Sequence, residues 1–491
     1  MSMLSLDFLA LLAGLTLAYY LLPLRARKWA LLVGSVAYWM LCGWQGALYL
    51  AGEAALTWLC ALGMARVKRP GGRRVLLAGA LAAILGAMVL IKERERLPWP
   101  GGSIWPWTMP LGLSYLTFQS AGYLLDVYRG KIPAERSYPK VLLFCGFFPQ
   151  LAQGPIAPWK QLAPQLDEPH RLEPERFVAG VILMAWGYFK KLVIADRVMP
   201  LALEAAAGYE ALPGWAILLA VTAYTVALYA DFSGGIDMAR GAAALWGVRL
   251  EENFRRPFFA VSVADFWRRW HITLGAWFRT YVLYPLATSR AGVGLGRLGK
   301  RLLGPKAGRA LPGAVAAFLV FVLIGLWHGL YWNALLYGAW FGLLTALAML
   351  LEEPFKRAKR WLGVTKETRW FRAFGRVRTW LAVLLAQFFA CASSPRAAFG
   401  MLGRAVTAFG QGSLSGLAPL DASEAIVAMA ALAILLAVDV WCEKRGSLAE
   451  CLAAAPLYAR WPALLALLLI TLIFGRYGAG YDAAAFLYAG F

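Results

Sequence analysis

The sequence predicts an all-α protein that crosses a membrane many times. Hydrophobic residues make up 60% of the 491 positions and charged residues only 15%, whereas a soluble domain has about 45–50% and about 25%, respectively. Apolar segments recur along the chain with no polar linker long enough to separate folding units, so we expect one integral-membrane domain over residues 1–491. This composition excludes a water-soluble enzyme.

The basic residues indicate how the chain is oriented. Lys and Arg number 49 against 27 Asp and Glu, which gives a formal net charge of +22, and most of them lie in short runs between apolar segments. This is the pattern of the positive-inside rule, and it indicates a lipid bilayer as partner and no nucleic acid. Because Arg25, Arg27 and Lys28 directly follow the first apolar segment, the N-terminus is predicted to lie outside the cytoplasm.

The apolar segments predict 11 to 13 membrane-spanning helices. The first, at residues 4–24, is long enough to cross about 30 Å of hydrocarbon and lacks the layout of a cleaved signal peptide. An outer loop is predicted near residues 92–102, where the charges nearly balance and Pro and Gly follow. The other predicted spans are at residues 30–44, 48–64, 75–91, 109–126, 177–194, 215–230, 235–246, 311–327, 332–351, 380–391, 425–440 and 461–474.

Two segments are not predicted to cross. Residues 141–151 are too few to span and contain Pro149, so we expect a re-entrant segment whose broken backbone lines a central funnel. Residues 261–286 mix aromatic and cationic side chains, which is typical of a helix in the interface plane or beneath the bundle. The six cysteines lack C-x-x-C spacing and most lie in apolar stretches, which favours buried structural thiols and no metal site.

The three histidines are candidate functional residues. His170 lies in a polar, Pro-rich stretch and is interpreted as a solvated loop residue. His328 ends an apolar run, with Asn333 soon after it, and ionisable groups within a membrane segment usually mark a functional path. A neutral imidazole can remove a proton from an alcohol, so His328 is predicted to be a general base. The alternative is a histidine that bonds a backbone carbonyl at a helix end.

His271 closely follows Asp265, Trp267, Arg268 and Arg269. On a continuous helix His271 would share a face with Trp267 and Arg268, whereas Arg269 would point elsewhere. Such a cationic and aromatic face can hold a phosphate-bearing or thioester donor that enters from the cytoplasm. An anchor helix whose arginines contact lipid phosphate is an equally good interpretation of the same residues.

Two carboxylates lie inside an apolar stretch, at Asp231 and Asp237, with Gly234 and Gly235 between them. The two glycines suggest a helix break where backbone groups line a cavity. A carboxylate pair for metal binding or acid–base chemistry is one interpretation. The favoured interpretation is structural, with each carboxylate paired to an arginine or capping a helix.

Seven short motifs follow one another along the chain: PLGLSYLTFQ (110–119), DVYR (126–129), FFPQ with GPI (147–156), DFSG with DM (231–238), ENF (252–254), DFWRRWH (265–271) and GLWHG (325–329). As a set they resemble the membrane-bound O-acyltransferase (MBOAT) family, in particular its bacterial branch that acetylates polysaccharides or attaches D-alanine to teichoic acid. Residues 486–491 also resemble the end of that branch. The motif-bearing core covers about residues 109–345.

The resemblance implies the MBOAT fold, with His271 and His328 as the two active-site histidines along a passage through a thinned core. It implies transfer of an acyl group, in the first place acetyl, from a cytoplasmic thioester such as acetyl-CoA to hydroxyls of an exported polysaccharide at the bacterial cytoplasmic membrane. No cofactor is expected to be permanently bound, and the implied partner is a secreted, periplasmic or membrane-anchored acyltransferase or small acceptor protein. Donor binding is assigned to Asp265, Trp267, Arg268, Arg269, Gln119, Gln150, Gln153 and Asn333.

Two alternative functions remain open at this stage. Within the same fold, the chain would transfer D-alanine from a carrier protein to teichoic acid. In a different class, a non-enzymatic transporter or flippase would use Asp231, Asp237 and His328 as a proton relay or substrate path. No internal repeat of the kind common in transporters is visible in the sequence.

Overall fold

The computed structural model describes residues 1–94, 96, 110–365, 367–414 and 421–477. Most of the predicted outer loop and the motif at residues 486–491 lie outside these residues. The described part is helical, and its only β-type pairing is an isolated antiparallel bridge between Phe254 and Trp270. The α-helices are α1 (Leu6–Leu21), α2 (Arg27–Cys42), α3 (Trp44–Arg66), α4 (Pro70–Lys92), α5 (Leu113–Tyr128), α6 (Tyr138–Gly146), α7 (Phe148–Gln153), α8 (Trp159–Asp167), α9 (Pro174–Tyr188), α10 (Asp196–Ala207), α11 (Gly214–Ala244), α12 (Val263–Trp267), α13 (Ile272–Phe278), α14 (Tyr284–Thr288), α15 (Arg290–Leu302), α16 (Gly304–His328), α17 (Trp332–Leu350), α18 (Glu352–Trp361), α19 (Arg369–Cys391), α20 (Pro395–Thr407), α21 (Ala422–Arg445), α22 (Leu448–Ala453) and α23 (Leu457–Phe474).

The prediction of an all-α, multi-pass membrane protein is confirmed. Within the described residues, nine helical segments are long and apolar enough to cross a bilayer. They are α3, α4, the segment Pro174–Ala207, α11, α16, α17, α19, α21 and α23. The sequence predicted more spans because α1, α2 and α5 have only 16 residues each, or about 24 Å at 1.5 Å per residue.

The described chain forms two compact units. The first unit consists of Met1–Asp196, Tyr229–Glu252 and Val427–Phe491, and the second of Arg197–Leu228 and Asn253–Ile426. In the second unit, α16 and α17 form a hairpin whose backbones touch, because a Cβ added to Gly325 would lie 3.1 Å from the Cα of Gly338. This close approach fixes the end of α16, where His328 lies.

The predicted helix break at Gly234 and Gly235 is wrong. Helix α11 runs without interruption for 31 residues and joins two predicted spans into one. Within the first unit, a Cβ on Gly234 would lie 2.9 Å from the carbonyl oxygen of Gly187, and a Cβ on Gly235 would overlap the amide of Gln153. The two glycines therefore serve close packing, a use that the sequence alone does not distinguish from a break.

The segment predicted to be re-entrant forms two short helices, α6 and α7, of nine and six residues. Every residue of α7 is buried. The ring of Phe148 stacks on Tyr38 at 4.9 Å and meets the edges of Phe8 at 6.0 Å and Trp246 at 5.7 Å. Aromatic packing therefore holds this broken stretch of backbone inside the first unit.

Candidate active site

His328 is the last residue of α16 and is half-buried. A tight turn follows it, in which the Tyr331 N–H donates to the Gly329 carbonyl at 2.9 Å. Near the start of α17, Asn333 is 5% exposed and its Nδ2 donates to the Ala392 carbonyl at 2.7 Å. The Asn333 Oδ1 accepts no hydrogen bond from the described residues. An imidazole and a buried amide acceptor thus lie close together in sequence at this end of the hairpin.

His271 does not lie on a continuous helix, so the prediction that it shares a helical face with Trp267 and Arg268 is wrong. Helix α12 ends at Trp267 and α13 begins at Ile272. Between them His271 adopts φ 46° and ψ 53°, the left-handed region, which among the described non-glycine residues only Arg256 shares. A residue other than glycine keeps a left-handed backbone conformation only where the surrounding contacts hold it there. Such residues cluster at functional sites.

The surroundings of His271 are a short antiparallel pairing with the chain segment 253–255. The Arg255 N–H donates to the Arg269 carbonyl at 2.8 Å, and the Ile272 N–H donates to the Asn253 carbonyl at 3.0 Å. The rings of Phe254 and Trp270 meet edge to face at 5.0 Å. These long-range contacts, which no helical periodicity predicts, end the helix before His271.

The side chain of Asn253 bonds the His271 ring. Its Oδ1 accepts from the Thr273 N–H at 3.0 Å and from the Thr273 hydroxyl at 2.9 Å, and it lies 3.2 Å from Nδ1 of His271. All three residues are buried, with Asn253 fully so. Asn253 belongs to the ENF motif, but no role for Asn253 or Thr273 could be predicted from the sequence, because only the fold brings them to the ring.

The His271 ring is neutral at physiological pH. Burial, and after it the nearby His328, lower the pKa of His271 to about 3. The Trp327 ring lies next to both histidines, with centroid distances of 6.2 Å to His271 and 4.6 Å to His328. The two predicted active-site histidines are therefore brought together around one indole within the second unit.

The acidic and basic residues before His271 form a local network around Asp265. The Ser262 hydroxyl accepts from the Asp265 N–H at 3.1 Å and so caps α12. The Asp265 carboxylate lies 3.5 Å from Arg268 and 3.4 Å from Arg269. Arg269 also donates to the Arg255 carbonyl at 3.2 Å, whereas the Arg268 side chain is 62% exposed. Arg268 is thus the better placed of the two arginines for an external anion.

Trp267 packs into the α16–α17 hairpin. Its ring lies 5.0 Å from Phe321 and 4.9 Å from Phe341. The indole Nε1–H is buried and has no hydrogen-bond acceptor among the described residues. Trp267 therefore connects the His271 segment to the hairpin that ends in His328.

The three glutamines assigned to donor binding lie in the first unit, whereas the other assigned residues lie in the second. Gln119 Nε2 donates to the Phe144 carbonyl at 2.7 Å, and Gln150 Nε2 donates to the Pro155 carbonyl at 2.9 Å. Both therefore support the broken backbone of α6 and α7. Gln153 is 2% exposed, and its amide makes no hydrogen bond within the described residues.

Asp231 and Asp237 pair with two buried lysines that the sequence analysis missed. Lys191 Nζ lies 2.6 Å from Asp231 and 2.8 Å from Asp196. Lys190 Nζ lies 2.7 Å from Asp237. The lysines lie on a π-helical segment between α9 and α10, and two adjacent lysines inside the apolar run 177–194 were the available signal. Pairing of this kind favours the structural interpretation of both carboxylates over a proton relay.

The remaining sequence predictions were less accurate. His170 is half-buried rather than solvated, and its Nε2 donates to the Gln165 carbonyl at 2.7 Å. His170 belongs to the first unit, whereas His271 and His328 belong to the second. Of the six cysteines only Cys145 is buried, and Cys451 is exposed, because helices at the protein surface carry apolar residues toward lipid.

The fold and the site define a helical membrane protein with two histidines around one indole. The model of the MBOAT, membrane-bound O-acyltransferase family, matches residues 131–296. A probable alginate O-acetylase, AlgI, of Pseudomonas fluorescens is 32% identical over 437 residues, which cover 87% of this chain and 80% of that protein. The chain therefore belongs to the membrane-bound O-acyltransferase family and is an O-acyltransferase.

The names of two further relatives specify other acceptor polymers, peptidoglycan and teichoic acid. A peptidoglycan O-acetyltransferase of Helicobacter pylori is 30% identical over 281 residues, or 51% of this chain and 49% of that protein. A teichoic acid D-alanyltransferase of Bacillus subtilis is 27% identical over 291 residues, or 57% of this chain and 66% of that protein. Of these three relatives, the probable alginate O-acetylase matches the longest part of the chain.

Proposed function

We propose that this chain transfers an acetyl group from a cytoplasmic thioester, acetyl-CoA, across the membrane toward hydroxyls of a cell-surface or exported polysaccharide. The proposal rests on one observation above all, the placement of His271 and His328 close to the same indole, Trp327, in a chain that resembles an alginate O-acetylase over 87% of its length. The central funnel in which the reactants would meet, and its crossing of a thinned core, remain predictions.

In this mechanism His328 is the general base. It accepts the proton of the acceptor hydroxyl while the hydroxyl oxygen attacks the carbonyl carbon of the thioester. When the tetrahedral adduct collapses, the carbon–sulfur bond breaks and the imidazolium returns its proton to the leaving thiolate. An oxygen ester and free CoA result, so atoms and charge balance without a metal or redox partner.

The donor is positioned by the residues around His271. Arg268 is exposed and carries a permanent charge suited to a phosphate of CoA, and Trp267 supplies a buried indole N–H. Asp265 and Arg269 hold the loop that presents them. Asn333, in the same unit, adds a buried amide oxygen, and holding the reactants in place in this way lowers the entropic part of the barrier. The assignment of Gln119, Gln150 and Gln153 to donor binding stays a prediction from the sequence.

The acceptor side involves a second protein in this proposal. A secreted, periplasmic or membrane-anchored acyltransferase, or a small acceptor protein, takes the acetyl group on the outer side of the cytoplasmic membrane. This arrangement places the N-terminus outside and the basic residues 25–28, 66–74 and 356–378 in the cytoplasm. Labelling of a cysteine introduced before α1 in intact cells tests the orientation.

His328→Ala tests the base assignment, with His170→Ala as the matched control. General-base catalysis contributes about 10²–10⁴ in rate, so His328→Ala is expected to lower acetyl transfer by that factor. His170→Ala should retain transfer, because within the described residues the His170 ring bonds only the Gln165 carbonyl. The assays are acetyl ester content of the exported polysaccharide in cells that depend on this chain, and release of CoA from acetyl-CoA by the purified protein with alginate oligosaccharide.

The two other functions predict different results. D-alanyl transfer requires a D-alanyl-loaded carrier protein and gives no product with free acetyl-CoA. A transporter moves its substrate without forming an acyl product and without releasing CoA. Unchanged acetyl transfer by folded His328→Ala protein would remove the base assignment while leaving the O-acyltransferase class intact.

A further inference from the structure

The hydrogen bonds around Asn253 determine which end of the His271 ring carries its hydrogen. The Thr273 backbone nitrogen lies 3.0 Å from one terminal atom of the Asn253 side chain. A backbone N–H can only donate, so that terminal atom must be the amide oxygen and not the amide nitrogen. The Thr273 N–H, which can only donate, therefore fixes the orientation of the Asn253 amide.

The same oxygen lies 3.2 Å from Nδ1 of His271. Because an amide oxygen only accepts, Nδ1 must carry the hydrogen if the two atoms are bonded. In a neutral imidazole a hydrogen on Nδ1 leaves a lone pair on Nε2. The bond made by one ring nitrogen thus sets the chemistry of the other, as is general for histidines at functional sites.

We propose that Asn253 is a positioning residue that holds His271 in the Nδ1–H tautomer, so that Nε2 acts as a hydrogen-bond acceptor. Three separate features support the ring geometry: the left-handed backbone at His271, the backbone bond from Ile272 to Asn253, and full burial of Asn253. The protonation state agrees, because burial lowers the pKa of His271 to about 3 and the ring is neutral at pH 7.

The Nδ1–H tautomer limits what His271 can do in the reaction. This role in the reaction, unlike the tautomer itself, rests on the proposed function. A neutral ring with a lone pair on Nε2 cannot donate to the thioester carbonyl and so cannot polarise it. It can accept a hydrogen bond from a substrate N–H or O–H. His271 therefore orients an N–H or O–H group of the substrate by accepting its hydrogen bond. Other groups stabilise the developing oxyanion.

The chain suits a direct test, because it contains only three histidines. Nitrogen-15 NMR of the full-length protein labelled at histidine distinguishes the Nδ1–H tautomer, the Nε2–H tautomer and the imidazolium. His170→Gln and His328→Gln assign the signals. At pH 7.5 the His271 signal of the wild-type protein is expected to report the Nδ1–H tautomer, and Asn253→Ala is expected to move it toward the Nε2–H tautomer.

Two further variants separate positioning from mere structural support. Thr273→Val removes one hydroxyl but leaves the Asn253–His271 bond, so the tautomer should persist. Asn253→Asp keeps an acceptor and places a negative charge at the ring, and this charge acts against the effect of His328, which lowers the pKa of His271. An opposite charge at this distance raises a histidine pKa by about 1–3 units, so the pH at which the His271 NMR signal converts to that of the imidazolium should move upward by that amount, with the Nδ1–H tautomer retained above it.

The spectra are independent of acetyl transfer, so the tautomer assignment and the proposed function can fail separately. An Nε2–H signal for His271 in the wild-type protein would overturn the proposal, and so would an Asn253→Ala spectrum identical to the wild type. If acetyl transfer occurs, Asn253→Ala should lower kcat by at least about 10-fold, since the wrong histidine tautomer costs up to about 10⁴ in a serine protease. An unchanged kcat would overturn the positioning role.

Discussion

Lys191→Met is expected to destabilise the protein strongly. Lys191 Nζ lies within 2.8 Å of both Asp196 and Asp231, and Lys191 and Asp231 are each 2% exposed. Removing the lysine leaves two carboxylates buried without the cation that they share. Breaking a buried ion pair in this way costs about 3–5 kcal/mol in the free energy of unfolding, because the remaining charge is not solvated.

The neutral triple variant Lys191→Met, Asp196→Asn, Asp231→Asn should recover most of this loss, since an uncharged cluster has no such desolvation cost. Lys28→Met is the matched control: its ion pair with Asp167 has the same 2.8 Å length but both side chains are about one-third exposed, so it should cost less than about 1 kcal/mol. The monodisperse fraction after heating in detergent, measured by size-exclusion chromatography, gives the order of stability. Equal melting of Lys191→Met and the wild type would refute the reasoning.

Three further changes probe other parts of the structure. Gly325→Ala should lower the free energy of unfolding by about 1–3 kcal/mol, because it overpacks the α16–α17 contact. Gly86→Ala, with open space around its Cβ, should be neutral or stabilise the protein by up to about 1 kcal/mol. Equal melting of the two variants would contradict this. Because the pKa of His271 is about 3 in the folded state and 6.5 when unfolded, the unfolded chain binds more protons between those values. His271 should therefore contribute about 2 kcal/mol less stability at pH 5 than at pH 7, so the stability of the wild type relative to His271→Asn should fall by that amount between the two pH values. Ser262→Ala should cost about 1 kcal/mol through the lost cap of α12, and unchanged stability in chemical denaturation would argue against that cap.

Local patterns in the sequence predicted the membrane class and the end of α16. Hydropathy and length are properties of a single segment, so α3, α4, α16 and α17 could be placed from residues 48–64, 75–91, 311–327 and 332–351. The location of His328 at a helix end followed from the apolar run that it ends. Hydropathy and segment length can be interpreted without knowing which distant residues a segment contacts.

The errors arose where distant residues decide the outcome. Helix α12 ends because the segment 253–255 pairs with the chain before His271, and helical periodicity contains no sign of that pairing. Gly234 and Gly235 fit either a break or a close contact, and only the presence of Gly187 and Gln153 against them selects the contact. The roles of Asn253 and Thr273 likewise depend on a contact across some twenty residues of chain, which spacing alone does not predict.

The left-handed backbone at His271 limits which substitutions can report on its chemistry. Alanine at this position would combine loss of the imidazole with the conformational penalty of a side chain in the left-handed region. A genetic screen that scores only activity would then mistake a misfolded chain for a catalytically dead one. Asparagine adopts this conformation far more readily. His271→Asn is therefore the appropriate inactive variant for studying how the thioester donor binds.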